Sequence, residues 1–239
     1  MYILFISMKY QNWLAMHNSS LIKNITLGLL LTVALFACDM SNRKKVDKTG
    51  YQEELKDREV KVVDEAEIFN KASEIGKEIA VSSQKALASQ LKKAIKEGGP
   101  VHAVGFCNTR VSPIMDSLEQ QYDAEIKRVS MHYRNPKDQP DGTEKKILEA
   151  YQYSLDSGYS LSENVQKVGS QFILYTKPIV IDNPLCLNCH GEPGKEITQA
   201  TMQKIDRMYP DDKAKNHKFG DLRGMWSITL SKKEIIKAL

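Results

Sequence analysis

Residues 166–190 read QKVGSQFILYTKPIVIDNPLCLNCH, an aromatic and β-branched run followed by two closely spaced cysteines. The first part, Gln166 to Asp182, is rich in residues that favour strands and predicts one or two of them. Asn183-Pro184 then predicts a break, because proline cannot donate a hydrogen bond to a sheet. Cys186 and Cys189 are therefore expected to follow directly on the end of a sheet.

Outside this stretch, the spacing of apolar residues predicts helices around that sheet. From Tyr51 to Glu97 the composition suits one long helix, which Gly98-Gly99-Pro100 is expected to end. The further elements expected are a strand at Val101–Cys107, a helix from Asn108 or Thr109 to about Gln121, a strand at Glu125–Tyr133, a helix at Thr143–Asp156, a helix at Glu196–Met208 and a strand at Gly224–Leu230. This order predicts the α+β class, with an antiparallel sheet, flanking helices and a long N-terminal helix.

The first 37 residues have the composition of a secretory signal. They contain no acidic residue, and residues 25–37 form an apolar run of about 13 residues, shorter than the roughly 20 that span a bilayer. The run ends in Leu35-Phe36-Ala37-Cys38, which resembles the lipobox of bacterial lipoproteins and implies that Cys38 is acylated after cleavage. The alternative is an uncleaved membrane anchor in which Cys38 is unmodified.

These boundaries predict a signal peptide at 1–37, a lipidated Cys38 with a flexible tether at 38–52, and a single domain at 53–239. We expect the domain to be exported and lipid-anchored on the periplasmic face of a membrane, and the sequence leaves open which membrane. The net charge of +4 includes basic residues of the signal. The sequence has no basic stripe interleaved with aromatic residues, so it does not predict binding to nucleic acid. The oligomeric state is left open.

The number and spacing of the cysteines indicate haem. The chain has four cysteines, at 38, 107, 186 and 189. If Cys38 is acylated, three remain, which does not suit a disulfide framework. Cys186-Leu187-Asn188-Cys189-His190 has the spacing of c-type haem attachment, in which each thiol forms a thioether with one vinyl group and the histidine ligates the iron. The sequence therefore predicts one covalent haem c, a modification that is made outside the cytoplasm.

Three other uses of a Cys-x-x-Cys pair fit less well. A zinc site would need further ligands, and the chain has no second Cys-x-x-Cys. A thioredoxin-like dithiol normally lies early in a βαβ unit, whereas this pair lies near the C-terminus. A disulfide that closed a two-residue loop would be strained.

Several short motifs resemble, in order and spacing, those of one known family. They are Val104-Gly-Phe-Cys107-Asn, Lys127-Arg128-Val-Ser130, Arg134-Asn135-Pro136, Pro140-Asp141 with Glu144, Tyr175-Thr-Lys-Pro178-Ile, Cys186-Leu-Asn-Cys189-His190-Gly191 and Gly220-Asp221-Leu-Arg223-Gly224. Together they resemble the PAS-like c-type haem family, long known only as a domain of unknown function, whose members occur alone or fused to signalling kinases. The resemblance covers roughly Glu65 to Leu239. It implies a PAS-like antiparallel sheet, a haem held covalently at its C-terminal side and a distal cysteine ligand at Cys107. Thr143 departs from the pattern, which usually has an aromatic residue there.

The remaining contacts of the haem are less fixed by the sequence. Taken alone, Cys107 would be a small buried apolar residue, whereas the odd cysteine count and the resemblance favour it as the iron ligand opposite His190. For the haem propionates, Arg134 and Arg128 are the predicted partners, because guanidinium groups pair with carboxylates in a bidentate manner; Lys177 and Arg223 are also plausible. The other candidate iron ligands, each expected to be structural or on the surface, are His102, His132, His217, Met115, Met131, Met202 and Met225.

The functional expectation is a redox or small-ligand sensor domain that acts through a separate protein partner, because a thiolate ligand can be displaced or oxidised. A thiolate opposite His190 also predicts a low reduction potential. The alternative is a membrane-tethered monohaem cytochrome that transfers electrons. An enzyme such as a peroxidase would need an open iron position beside a distal acid or base, and no such constellation is visible in the sequence.

Overall fold

The structure, a computed structural model, describes residues 63–239 together with Gly50, Gln52 and Leu55. The predicted signal peptide, Cys38 and most of the predicted tether lie outside the described residues, so their assignments stay predictions. Within the described residues, no helix is both long enough and apolar enough to cross a membrane.

The first helix, α1, runs from Glu65 to Tyr122 and begins with a capping box. The side chain of Asp64 accepts the N–H of Ala66 at 3.3 Å, and the N–H of Asp64 donates to Glu67 Oε2 at 3.3 Å. These bonds satisfy backbone donors that the first turn of a helix leaves free. The prediction of one continuous helix from Tyr51 is therefore wrong, because Val63 and Asp64 are not helical and α1 begins at Glu65.

α1 is interrupted in its middle at Gly98 and Gly99, and Gly99 has φ of 70°. The predicted end of the first helical segment at these glycines is confirmed. The chain then resumes a helix at Pro100, because the first turn of a helix does not need the N–H that proline lacks. The second part of α1 therefore has a start of its own.

The predicted strand at Val101–Cys107 is wrong, and so is a helix start at Asn108 or Thr109, because this whole segment belongs to α1. Ala103 and Val104 are buried, and Val104 packs with Ile205 and Tyr209. Packing of one helical face outweighs the weak strand preference of this segment.

Four strands form one antiparallel sheet in the order β1-β4-β3-β2. They are β1 (Glu125–Val129), β2 (Asn164–Val168), β3 (Phe172–Val180) and β4 (Leu222–Ser231). One or two strands were expected within Gln166–Asp182, and both β2 and β3 are present, although β2 begins earlier, at Asn164; the final strand is confirmed as β4. β1 ends at Val129 rather than at Tyr133, because the Ser130 hydroxyl accepts the N–H of His132 at 3.0 Å and turns the chain.

The N-terminal part of α1 packs on one face of the sheet. Ile68, Ala72 and Ile79 are buried in one cluster with Tyr175 and Trp226 of the central strands. Gly76 lets the helix approach β3 closely, since a Cβ at this position would lie 2.3 Å from Tyr175 Cγ. The absence of a side chain at residue 76 therefore sets the distance between helix and sheet.

The opposite face of the sheet is covered by α2 (Gly142–Asp156), which confirms the helix predicted at Thr143–Asp156. Leu148 and Tyr151 of α2 pack with Leu174 and Met225, which alternate with the residues facing α1. Glu144 is buried at the start of α2. Its Oε2 accepts the N–H of Asp141 at 2.9 Å, and its Oε1 accepts the Ser227 hydroxyl at 2.7 Å.

The remaining elements are α3 (Leu187–His190), α4 (Gln199–Met208), α5 (Lys232–Lys237) and 3-10 turns at Pro136–Asp138 and Pro184–Cys186. α4 confirms the helix predicted at Glu196–Met208, although it begins later, where Thr198 caps it. Lys61–Leu239 form one compact unit. The predicted fold class, α+β with a PAS-like antiparallel sheet, flanking helices and a long N-terminal helix, is confirmed by these elements.

Candidate functional site

The Cys-x-x-Cys-His motif forms a single helical turn beyond the end of β3. Asn183 Oδ1 accepts the N–H of Leu185 at 2.9 Å and starts the 3-10 turn that leads into α3. In a helical turn, residues three and four positions apart share a face, so Cys186 shares its face with Cys189 and His190. Both cysteines are free and only partly exposed. The motif therefore presents two thiols and one imidazole together.

Both thiols of the motif are protonated near neutral pH. Burial raises the pKa of Cys189 to about 11. Burial also raises the pKa of Cys186, and the charge of Asp182 adds to this shift. Neither group is held as a reactive thiolate, which distinguishes the pair from the low-pKa dithiols of redox enzymes.

His190 is held in one orientation by the loop before β4. Its Nδ1 lies 2.9 Å from the carbonyl oxygen of Ala214. A carbonyl only accepts hydrogen bonds, so Nδ1 carries the proton and Nε2 keeps its lone pair. Burial, followed by the charges of Arg223 and Arg134, holds the pKa of His190 well below its ordinary value. His190 is thus a neutral imidazole in the form that ligates a metal.

Arg134 ties three parts of the chain together at this site. Its Nη2 donates to the carbonyl oxygen of Cys189 at 2.6 Å, and its Nε donates to Asp212 Oδ1 at 3.1 Å. The same Asp212 oxygen accepts the N–H of Ala214 at 2.9 Å. The side chains of Arg134 and Asp212 are 11% and 1% exposed. Arg134 thus fixes both the motif and the loop that holds His190, while its predicted contact with a propionate stays a prediction.

Cys107 lies near this site, on the second part of α1. Burial raises the pKa of the Cys107 thiol, and the charges of Arg128 and Arg134 oppose this shift. Cys107 is also close enough to Cys189 for its charge to raise the pKa of that thiol. The structure therefore brings the third free cysteine towards the Cys-x-x-Cys-His motif, across 79 positions of the sequence.

Three arginines converge beside the motif. Arg128 lies over the Trp226 ring, with its guanidinium carbon 5.9 Å from the ring centroid. Arg223 donates from Nη1 to the carbonyl oxygen of His132 at 3.1 Å. Burial lowers the pKa of Arg223 to about 9, and the charges of Arg128 and Arg134 contribute to the shift. By contrast, Lys177 of β3 forms an ion pair with Glu163, with 3.4 Å between Nζ and Oε1.

His217 lies at the centre of a group of three histidines. Its ring centroid is 5.7 Å from that of His132 and 6.2 Å from that of His190, and both contacts are edge-to-face. Its backbone N–H donates to the carbonyl oxygen of His190 at 2.9 Å. Burial lowers the pKa of His217 to about 4, so the ring is neutral at physiological pH. His102, in contrast, has a side chain that is 52% exposed.

Sequence reasoning missed this burial of His217. Its neighbours Asn216 and Lys218 are polar and gave no apolar pattern to follow. The loop is held inward by backbone contacts instead, since Asn216 donates to the carbonyl oxygen of Gly191 at 2.9 Å. The closest signal in the sequence is that His217 lies a few residues before the Gly220-Asp221-Leu222-Arg223-Gly224 motif.

Fold and site define an α+β domain in which a Cys-x-x-Cys-His turn and a distant cysteine meet beside a cluster of arginines. The family profile described as Tll0287-like matches residues 52–231, and the chain belongs to this family. The family resemblance drawn from the sequence motifs is confirmed by this match.

Among solved structures, the chain is similar to the crystal structure of the cyanobacterial heme-protein Tll0287. The two sequences are 21% identical, and the match covers 63% of this chain and 94% of that chain with a TM-score of 0.44. No curated protein sequence matches this chain.

Proposed function

We propose that this chain is a haem protein that binds one c-type haem covalently through Cys186 and Cys189, with His190 as an iron ligand. The observation that carries the proposal is the 2.9 Å contact between His190 Nδ1 and the Ala214 carbonyl oxygen, which leaves Nε2 free beside two free thiols. Tll0287, the cyanobacterial protein whose name the family carries, is a heme-protein, which agrees with this assignment. The convergent arginines suit a group that carries two carboxylates.

The residues of this chain would hold the haem in defined ways. The two thiols supply the thioether bonds, and the Ala214 carbonyl keeps the His190 ring oriented and its Nδ1 protonated. When bound, a haem supplies an iron that exchanges electrons and can bind small ligands if a coordination position opens. Arg134 contributes by fixing the backbone of Cys189, so that attachment and ligation occur in one geometry.

We propose that Cys107 would be a second protein ligand of the haem iron. Its partial burial and the nearby charges of Arg128 and Arg134 support this role, because positive charge stabilises a thiolate. Coordination to iron would deprotonate the thiol despite the burial that raises its pKa. A thiolate opposite His190 would favour ferric iron and give a low reduction potential.

The proposed cellular setting is that of an exported lipoprotein, anchored through Cys38 on the periplasmic face of a membrane. Covalent haem attachment outside the cytoplasm and the signal-like composition of residues 1–37 support one another. Mass spectrometry of the N-terminal peptide tests the anchor: the mature chain should begin at Cys38 and carry the added mass of acyl groups. A chain that keeps residues 1–37 with an unmodified Cys38 would contradict lipidation and favour an uncleaved anchor.

The leading role is a redox or small-ligand sensor that signals through a separate protein. Cys107 lies on the part of α1 that follows the break at Gly98 and Gly99, whereas His190 lies on α3. Displacement of Cys107 from iron would therefore release a contact between two separate elements. A break in a helix is a place where such a release can change the orientation of the following segment.

A specific observation also supports the alternative, a membrane-tethered cytochrome that transfers electrons. Cys186 is partly exposed, and Leu185 beside it is 45% exposed. A haem attached near the surface would be within reach of a redox partner. Stopped-flow reduction in the presence and absence of carbon monoxide separates the two roles. Loss of thiolate ligation in the reduced or ligand-bound state favours the sensor, whereas fast electron exchange with both ligands retained favours the carrier.

A further inference from the structure

His217 carries a buried hydrogen-bonding group that no described residue uses. Its side chain is 6% exposed, and its Nε2 has no hydrogen-bond partner among residues 63–239. Its Nδ1 lies 3.9 Å from Asp221 Oδ2, which is beyond hydrogen-bonding distance. Buried polar atoms in native proteins almost always have a partner. An unpartnered Nε2 at this depth therefore indicates a group that the protein binds.

Arg223 is the second residue with unused hydrogen-bond donors. Within residues 63–239, its guanidinium makes one hydrogen bond, from Nη1 to the His132 carbonyl oxygen at 3.1 Å. The carboxylates whose charges act on it are Asp138 and Asp212, and Asp212 is already paired with Arg134. Arg223 therefore has guanidinium donors free for an anionic partner.

The two donors lie next to the motif that would attach the haem. The charge of Arg223 acts on His217, on His190 and on the Cys186 thiol. The His217 ring contacts the His190 ring edge-to-face, with 6.2 Å between centroids. A neutral imidazole with its proton on Nε2 supplies a donor, and a guanidinium supplies charge and further donors. Together they match a carboxylate.

We propose that His217 Nε2 and the Arg223 guanidinium together bind a carboxylate, and that this carboxylate is a propionate of the haem attached at Cys186 and Cys189. This inference rests on the proposed function and goes beyond it, because the attachment motif gives His217 no role. A propionate would satisfy the buried nitrogen and neutralise a guanidinium that forms no ion pair among residues 63–239. His217 is then a haem-binding residue rather than a residue of the surface or of the packed core.

The test uses the holoprotein produced together with c-type maturation machinery. Covalent haem per chain is measured first, by the pyridine haemochrome spectrum. Resonance Raman spectra then compare the propionate bending band of the wild type with those of His217→Phe and His217→Gln. The matched control is His102→Phe, because that histidine is 52% exposed on α1. The band should shift in His217→Phe, and His217→Gln, which restores an N–H donor, should bring it back towards the wild-type position.

The outcomes separate this inference from the proposed function. Covalent haem at normal stoichiometry with an unshifted band in His217→Phe would overturn the propionate assignment and leave the haem proposal intact. If His217→Phe does not accumulate, His217→Asn replaces it, because the shorter Asn amide does not reach the position of Nε2. A propionate band at the same position in His217→Asn and His217→Gln would overturn the assignment. An unshifted band in His217→Phe, together with acetate binding that calorimetry detects in the wild type and not in this variant, would assign the two donors to a free anion instead. Absence of covalent haem in the wild type would contradict the proposed function itself.

Discussion

Arg134 Nη2 lies 2.6 Å from the carbonyl oxygen of Cys189, although 55 positions of the sequence separate the two residues. The same guanidinium pairs through Nε with Asp212, whose side chain is 1% exposed. One arginine therefore links the loop after β1, the Cys-x-x-Cys-His turn and the loop that orients His190. This link is costly to break, because Arg134 is the nearer of two cations at a buried carboxylate; the other, Lys215 Nζ, lies 3.8 Å from Asp212 Oδ2.

Replacement of Arg134 by Gln should destabilise the protein by about 3 kcal/mol, because the buried Asp212 carboxylate loses its guanidinium. Urea unfolding measures this, in a background where Cys186 and Cys189 are replaced by Ser so that haem content does not contribute. Arg110→Gln is the matched control, since Arg110 is exposed on α1. An Arg134→Gln variant as stable as the control would show that the ion pair has no net stabilising effect.

Gly76→Ala should destabilise the fold by roughly 1–3 kcal/mol, because the added Cβ would overlap the Tyr175 ring and force α1 away from β3. The helix propensity of Ala, which favours it over Gly by about 1 kcal/mol, opposes this cost but does not cancel it. Gly105→Ala on the same helix is the control, since its Cβ would lie 3.7 Å from Lys204 Cε, an ordinary contact. Thermal unfolding should show opposite signs for the two variants.

Glu144→Ala should destabilise by about 1–3 kcal/mol, because the Ser227 hydroxyl and the Asp141 N–H lose their buried acceptor. The double variant with Ser227→Ala should cost less than the sum of the two single variants, since one interaction joins them. Denaturant unfolding of all four proteins completes the cycle. Additive effects would indicate that Glu144 acts through the capping box alone.

Cys107→Ala should raise the reduction potential of the proposed haem, on the order of 0.1 V within the ~0.8 V range that axial ligands set. The ferric low-spin thiolate signal in the EPR spectrum should disappear in the same variant. Ser112→Ala, at an exposed position on the same helix, is the control. Unchanged EPR spectra and potential after loss of Cys107 would assign this residue to packing and remove the thiolate from the proposed site.

Much of this fold can be predicted from local patterns in the sequence. The strand-favouring residues of Phe172–Val180 predicted β3, and Asp141 with Glu144 marks the start of α2. The segment Val101–Cys107 was predicted wrongly, because its helical state depends on packing against residues about 100 positions away in the sequence. Propensity and spacing carry no information on such distant contacts.

In the candidate site too, local spacing could be predicted from the sequence and distant contacts could not. The motif at Cys186–His190 is readable because its chemistry depends on local spacing. The partners of Arg134 and the burial of His217 depend on loops that meet only in the folded chain. Arg134 was predicted as a partner of a propionate, and the structure shows it bound to protein acceptors through Nε and Nη2.

The central proposal is that Cys186 and Cys189 bind haem covalently, and the most direct measurement is the alkaline pyridine haemochrome spectrum of the purified protein together with its intact mass. With maturation machinery present, we expect a c-type spectrum and a mass increase of one haem per chain, both lost when Cys186 and Cys189 are replaced by Ala. Haem that is extracted by acidified organic solvent, or a chain that carries none under these conditions, would contradict the proposal.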